Sequence, residues 1–371
     1  MGSCVKSLAI TKNNRRLRSV ADLVGNGLLS DLVADDFLAL ESMYDIGISE
    51  HIRELLSGIV NSSNDPIGRQ YIPSLDEMII REDELSDPIG DDLYSPVNGI
   101  VHRYPDRVLF KITNICEVYC RYCFRKDMIG AGSNHLSNHD FIAAIDYIRT
   151  HNEIWEVILT GGDPFIISPQ KLQKILDELS NINHVQNIRV HTRIPIANPS
   201  KIDDTMLSVL KSQARGLHVV LHVNHVKEIT KEVEAAILQL RAVNCSVYSQ
   251  SVLLKGVNDD AKTLESLLKK LVSIHVKPYY LHHLDRAKGS SHFRVPLERG
   301  MEIMKELQGK VSGLCLPKYM LDIVGGHGKI PANESYIKQI SSDLYNVEDY
   351  QGCEHLYIDG IDNEKEVKVK A

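Results

Sequence analysis

The chain is 371 residues long and 43% hydrophobic, with 42 Lys and Arg against 49 Asp and Glu and a formal net charge of −7. That length and apolar content suffice for a large core, in one big domain or one domain with appendages, and the acidic balance offers no basic field for nucleic acid. The 7 cysteines are odd in number and scattered outside one triplet, which excludes a disulfide framework and fits a reducing compartment. No apolar run reaches membrane-spanning length and the first residues lack the apolar core of a secretory signal, so a soluble cytoplasmic protein without a membrane partner is expected.

In chain order, residues 1–60 read as helical. Apolar residues recur at three- and four-residue intervals over 20–24 and 35–40, with Ser and Asp at capping positions. From 61 to 98 the composition shifts to Ser, Asn, Asp, Pro and Gly, which predicts an irregular connecting arm. From Arg107 onward an alternation sets in. Strands are predicted over 108–112, 156–159, 188–191, 218–223, 246–253 and 277–281, and helices over 139–150, 169–180, 202–213, 230–243, 261–274 and 296–307. Such a series of β-α units means parallel strands with outer helices, in an open doubly wound sheet or a barrel. The chemical residues favour the barrel. Cys116, Gly161, Arg193, His222, Gln250 and Asp285 all fall at or just past strand ends, as on the active face of a β/α barrel. The segment 364–370 reads as a charged, frayed tail.

Three stretches carry chemistry. Cys116, Cys120 and Cys123 directly follow a predicted strand. Thiolates bind iron–sulfur clusters, and a cubane normally takes four of them; a loop that offers three leaves one iron open to a small molecule. Zinc would call for a fourth Cys or His at its own spacing, and none follows. The second stretch, Leu159-Thr160-Gly161-Gly162-Asp163-Pro164, places two glycines at a strand end, where backbone can approach a ligand closely. Taken alone it is an ordinary turn. The third is Leu321-Asp322-Ile323-Val324-Gly325-Gly326-His327-Gly328-Lys329-Ile330-Pro331. Ile330 rules out a Walker loop, which needs Ser or Thr after the lysine. A lysine in a glycine-rich turn is mostly a solvated loop residue; read as a Schiff-base former, Lys329 would anchor pyridoxal phosphate.

The cysteine spacing resembles the signature of radical S-adenosylmethionine enzymes, whose open iron chelates the amino and carboxylate groups of that cofactor. From Asp65 to Pro331 the chain also resembles lysine 2,3-aminomutase and its relatives. The resemblance runs through His102-Arg103-Tyr104-Pro105-Asp106-Arg107, Cys120-Arg121-Tyr122-Cys123-Phe124-Arg125, His191-Thr192-Arg193, Gln250-Ser251-Val252-Leu253-Leu254 and His292-Phe293-Arg294. It implies a partial (β/α)6 barrel over 99–312, preceded by an N-terminal helical region and arm (1–98) and followed by a cofactor-lysine segment and tail (313–371). It implies further that Cys116, Cys120 and Cys123 hold a 4Fe-4S cluster, that Gly161, Gly162 and Asp163 bind S-adenosylmethionine with Gln250 and Tyr122 as weaker contacts, and that Lys329 carries pyridoxal phosphate. Arg103 and Arg107 are candidates for the coenzyme phosphate, against the alternative of a surface salt bridge. Arg125 matches the position that pairs with the substrate carboxylate, and Asp285 and Asp322 match the two acids that receive the ε-ammonium of L-lysine. A flexible cation held in a closed site needs opposing charge, and a relative that handles glutamate would place basic or neutral groups there.

The implied reaction moves the amino group of L-lysine from C2 to C3 to give β-lysine, with an external electron donor such as flavodoxin or ferredoxin; a homo-oligomer is left open. Two readings stand beside it: an aminomutase for glutamate or arginine, and a non-catalytic iron–sulfur protein. The longer family members carry a C-terminal zinc-binding cysteine cluster, whereas this tail holds only Cys353, so no structural zinc is expected. The runs 278–282 and 123–125 look closer to the short bacterial branch that supplies (R)-β-lysine for elongation factor P.

Overall fold

Among the described residues four α-helices precede the sheet: α1 (Val20–Gly25), α2 (Ala34–Met43), α3 (Glu50–Leu56) and the single turn α4 (Gly68–Tyr71). The computed structural model describes residues 16–30, 34–59, 62–130, 134–213, 216–333 and 335–359. The expected helical character of the first residues and the charged tail at 364–370 therefore lie partly or wholly outside the described residues.

Among the described residues nine strands then pair in strict chain order: β1 (Ile100–Tyr104), β2 (Arg107–Thr113), β3 (Glu156–Gly161), β4 (Asn187–Thr192), β5 (Gly216–His222), β6 (Ser246–Val252), β7 (Lys277–His282), β8 (Lys318–Ile323) and β9 (Gly328–Pro331). The run from β2 to β8 is parallel, and β1 and β9 close its two ends antiparallel. Helices fill every crossover: α5 (Asn138–Thr150), α6 (Pro169–Ser180), the single turn α7 (Ile194–Ala197) with α8 (Asp204–Lys211), α9 (Lys231–Ala242), α10 (Ala261–Ser273) and α11 (Leu297–Leu307). Each starts and packs for local reasons. In α6, Ser168 caps the first turn by accepting from the Lys171 N–H, Pro169 presets the backbone, and Leu172, Ile175, Leu176 and Leu179 form the stripe that is buried. In α10, Asp260 caps and Leu264, Leu267, Leu268 and Leu271 are buried. Every position of β3 is buried, as expected of a parallel strand covered on both faces.

The parallel run holds one strand more than the sequence predicts. Residues read as part of a cofactor loop form β8, because Gly325, Gly326 and Gly328 (φ 86°, 84° and 90°) reverse the chain tightly into a hairpin with β9. β8 and β9 thus belong to the same sheet as the predicted barrel. The two edge strands do not pair with each other, but the Lys329 N–H donates to the Tyr104 hydroxyl across the gap at 2.8 Å. The result is a nearly closed partial barrel.

A second core caps one end, built from Leu17, Leu40, Ile48, Ile52 and Tyr71 together with Val118 of the cysteine loop. After the barrel comes an exposed antiparallel sheet of β10 (Ile337–Gln339), β11 (Leu344–Glu348) and β12 (Glu354–Ile358), which carries no sequence expectation. Among the described residues no helix is long and apolar enough to cross a membrane.

Candidate active site

Every residue that the sequence singles out as a ligand to iron, cofactor or substrate lines one cavity of about 790 Å³ inside the partial barrel. The cysteine loop leaves β2 and is held from behind by the arm and the N-terminal helices. Arg16 donates to the Cys116 carbonyl at 2.7 Å, the Tyr119 N–H donates to Gly47 at 3.0 Å, and the Arg121 N–H donates to Gln70 at 2.9 Å. The Arg121 guanidinium grips the fully buried Glu77 through bonds of 2.7 to 3.2 Å, and Lys126 adds a further bond at 3.0 Å. A segment whose composition reads as irregular is therefore the brace of the loop.

The three thiols are half-buried at the cavity wall. Burial pushes the Cys116 thiol well up, aided by Asp163 and the two neighbouring cysteines, and pushes Cys123 up to about 11 with help from Cys120. Cys116 and Cys123 stay protonated until a metal takes the proton's place. Among the described residues no three His, Cys, Asp or Glu side chains gather closely enough for a single metal ion.

The two glycines are dictated by the cysteine loop. Gly161 has φ 112°, and a Cβ there would strike the Thr113 carbonyl; one on Gly162 would strike the backbone of Ile115. The Gly162 N–H donates to Thr113 at 2.5 Å and the Asp163 N–H to Ile115 at 2.9 Å, so the two loops lie side by side. Asp163 itself is spoken for. Its carboxylate accepts from the Thr192 hydroxyl at 2.7 Å and from the N–H groups of Phe165, Arg193 and Ile194 at 3.0, 2.6 and 3.1 Å. With its oxygens filled by these four bonds, the Asp163 carboxylate positions the glycine loop. Gly162→Ala is expected to cost about 1–3 kcal/mol by overpacking. Chemical denaturation and the iron content after reconstitution check this; unchanged stability with full iron would contradict the packing argument.

At the other side, Asp322 and Lys329 are cross-strand partners in the β8–β9 hairpin and their side chains form an ion pair. The His282 ring nitrogen stands 4.0 Å from Asp322. Asp285 follows β7. Burial pushes its carboxyl up to about 7, the Asp322 carboxylate adds to that, and Lys329 and Arg125 pull the other way. Arg125 donates twice to Asp91, at 2.8 and 3.1 Å, and Arg103 donates to the same carboxylate at 3.3 Å and to the Ile89 carbonyl at 2.5 Å. Burial works to raise the Asp91 carboxyl, but Arg125, Lys111 and Arg103 outweigh it and keep Asp91 below the usual carboxylate range. Arg107 is less committed to the cavity: it pairs with Asp106 at 2.6 Å and lies over the Tyr104 ring.

Sequence reasoning passed over several lining residues. Asp91 sits in an acidic turn like many others, with no motif to mark it. His191 and His282 lie at strand ends and line the cavity beside His222, and the sequence assigns none of the three a role in binding. Burial lowers all three, His222 to about 3 and the other two well below their usual range, so the belt is uncharged. Gln250 is tied to His222 at 2.5 Å. His225 caps a turn through the Lys227 N–H, outside the cavity lining.

A model of the radical SAM superfamily matches residues 110–268, from β2 through the cysteine loop into α10. An L-lysine 2,3-aminomutase of Methanococcus maripaludis is 40% identical over 86% of this chain and 73% of its own length. The chain belongs to the lysine 2,3-aminomutase family. An L-lysine 2,3-aminomutase of Clostridium subterminale is 35% identical, covering 88% of this chain and 80% of that protein. A glutamate 2,3-aminomutase of Clostridioides difficile is also 35% identical, over 78% of this chain and 68% of that protein. Family membership makes the chain an isomerase of the radical SAM fold, working with a 4Fe-4S cluster, S-adenosylmethionine, pyridoxal phosphate and a reductant. The cavity fits such groups. Beyond the three thiols, Asp322 Oδ1 and Arg103 Nε are buried without a partner, one an acceptor and the other a donor left for a ligand.

Proposed function

We propose that the chain moves the 2-amino group of L-lysine to C3, giving β-lysine. The observation that carries this reading is the pairing of two acids, Asp285 and Asp322, beside Lys329 in the cavity that also holds the three cysteines. When bound, the cluster with S-adenosylmethionine supplies reversible hydrogen-atom abstraction at C3, and pyridoxal phosphate supplies a ring that delocalises the unpaired electron during nitrogen migration.

The chain's own residues bind and orient. Cys116, Cys120 and Cys123 would hold the cluster and leave one iron open, and the backbone of Gly161 and Gly162, packed against the cysteine loop, would receive S-adenosylmethionine. Gln250, fixed by His222, is the further S-adenosylmethionine contact. Lys329 anchors the coenzyme, and Arg103 offers its unpartnered nitrogen to the phosphate, with Arg107 as the outer of the two cations. Arg125, braced from behind by Asp91, presents the remainder of its fork to the substrate carboxylate. Asp285 and Asp322 take the ε-ammonium. With Lys329 holding the coenzyme, Asp322 would lose its present partner and its carboxylate would be open to the substrate's cation. The neutral histidine belt adds no charge to compete with either end of the zwitterion. An external low-potential donor, a flavodoxin or ferredoxin, delivers the electron.

The relative that acts on glutamate gives a second reading its weight. Two carboxylates facing a substrate carboxylate would repel it, and Asp285 and Asp322 argue against that substrate. The test is an anaerobic assay of the chain reconstituted with iron, sulfide, both organic cofactors and a reductant, offered L-lysine, L-glutamate and L-arginine separately. β-Lysine from L-lysine alone is expected; a product from glutamate with none from lysine would overturn the substrate assignment.

A further inference from the structure

We propose that Arg193 sets the reduction potential of the cluster through a charge-assisted hydrogen bond to Cys120, an inference that rests on the cluster reading above. Arg193 follows β4, and its guanidinium is almost wholly buried. One terminal nitrogen donates to Cys120 Sγ at 3.3 Å and to the Tyr122 hydroxyl. The other donates to Gln70 Oε1 and Glu228 Oε2, both at 2.6 Å. Glu228 is itself fully buried, and its second oxygen is pinned by the N–H groups of Asn224 and His225 at 2.8 and 2.9 Å. The Tyr71 ring lies under the guanidinium at 5.0 Å. The fork therefore has one orientation, with its anionic partner on the side away from the sulfur.

Among the described residues Arg193 is the only side-chain donor to any of the three cysteine sulfurs. A thiol is a weak acceptor, and a buried guanidinium gains little from one; a thiolate ligated to iron is a strong acceptor for a cationic N–H. Hydrogen bonds to ligand sulfurs and nearby net charge are the protein's means of tuning a cluster. The cluster accepts one electron from the external donor and its core charge falls from 2+ to 1+, with no proton moved, since arginine stays protonated throughout. A cation beside Cys120 stabilises the added electron and eases a reduction that is otherwise uphill. Glu228 moderates that cation. Arg193 is a positioning residue by this account, and Glu228 acts through it.

The two residues should then move the potential in opposite directions. The full chain is reconstituted anaerobically, its iron and sulfide are counted, and its midpoint is read by a redox titration followed by electron paramagnetic resonance, without S-adenosylmethionine. Arg193→Gln is expected to lower the reduced-to-oxidised ratio at a fixed potential by about tenfold, equivalent to about 59 mV more negative for a one-electron couple. Glu228→Gln, which leaves the guanidinium uncompensated, is expected to shift the midpoint positive. A merely structural role would lower iron content in both variants without opposed shifts. An Arg193→Gln protein with full iron and an unchanged midpoint would overturn the proposal. Should that variant fail to fold or load, Glu228→Gln carries the test alone: a positive shift supports the proposal, and no shift overturns it. Failure of the unaltered chain to take up iron would count against the cluster reading instead.

Discussion

Lys329→Ala is expected to leave iron content unchanged while abolishing the visible absorbance of lysine-bound pyridoxal phosphate and cutting β-lysine formation by about 10²- to 10⁴-fold. The hairpin explains why one residue carries so much. Gly325, Gly326 and Gly328 occupy left-handed backbone that other residues adopt at a cost, and the resulting turn puts Lys329 directly opposite Asp322. The Lys329 backbone is fixed as well, through the Tyr104 hydroxyl on the far edge of the sheet. The amine thus enters the cavity at one place, already paired with a carboxylate that holds it there. Alanine removes the anchor without touching the cysteine loop, which belongs to a different strand and a different brace. Retained coenzyme absorbance together with unaltered turnover would remove Lys329 from the mechanism.

Much of this architecture is written in local spacing. The helix predicted over 169–180 is α6, Pro169–Ser180, because a serine cap, a first-turn proline and a stripe of leucine and isoleucine are all read within one segment. The cysteine triplet is legible for the same reason: its chemistry depends on neighbours three and four residues away. What could not be read are partnerships between distant segments. Arg125 and Asp91 are 34 residues apart and Arg193 and Glu228 are 35 apart, and no periodicity links them. Asp163 is a further case. Four donors from other parts of the backbone and from Thr192 converge on its carboxylate, and only the folded chain reveals them. β8 was hidden because its strand residues run straight into a glycine-rich turn, and the turn's chemistry masked the strand's pattern.

Asp285 and Asp322 should be the most sensitive carboxylates for substrate recognition. Replacing either with Asn is expected to lower kcat/KM for L-lysine by roughly two to nearly four orders of magnitude, since removing one partner of a buried pair costs about 3–5 kcal/mol. Their pH behaviour separates them from a general loss of fold. Without substrate, the Asp285 carboxyl sits at about 7, first because it is buried and then because Asp322 repels its charge. Committing Lys329 to the coenzyme takes away a cation that pulls this carboxyl down, so in the loaded enzyme it lies above that value. A bound ammonium favours the ionised form, so below that point lysine must expel a proton to bind, and its affinity falls by about tenfold for each further pH unit. Above that point the carboxylate is already formed and this dependence vanishes. The profile of log kcat/KM should therefore rise with pH and then level. In Asp285→Asn the inflection due to this carboxyl should be absent. In Asp322→Asn the repulsion is gone, so the inflection should move to lower pH. The titration of lysine itself is common to all three proteins and cancels in the comparison. An inflection that stays in place in both variants would take Asp285 out of the ammonium site, and with it the charge argument for lysine over glutamate.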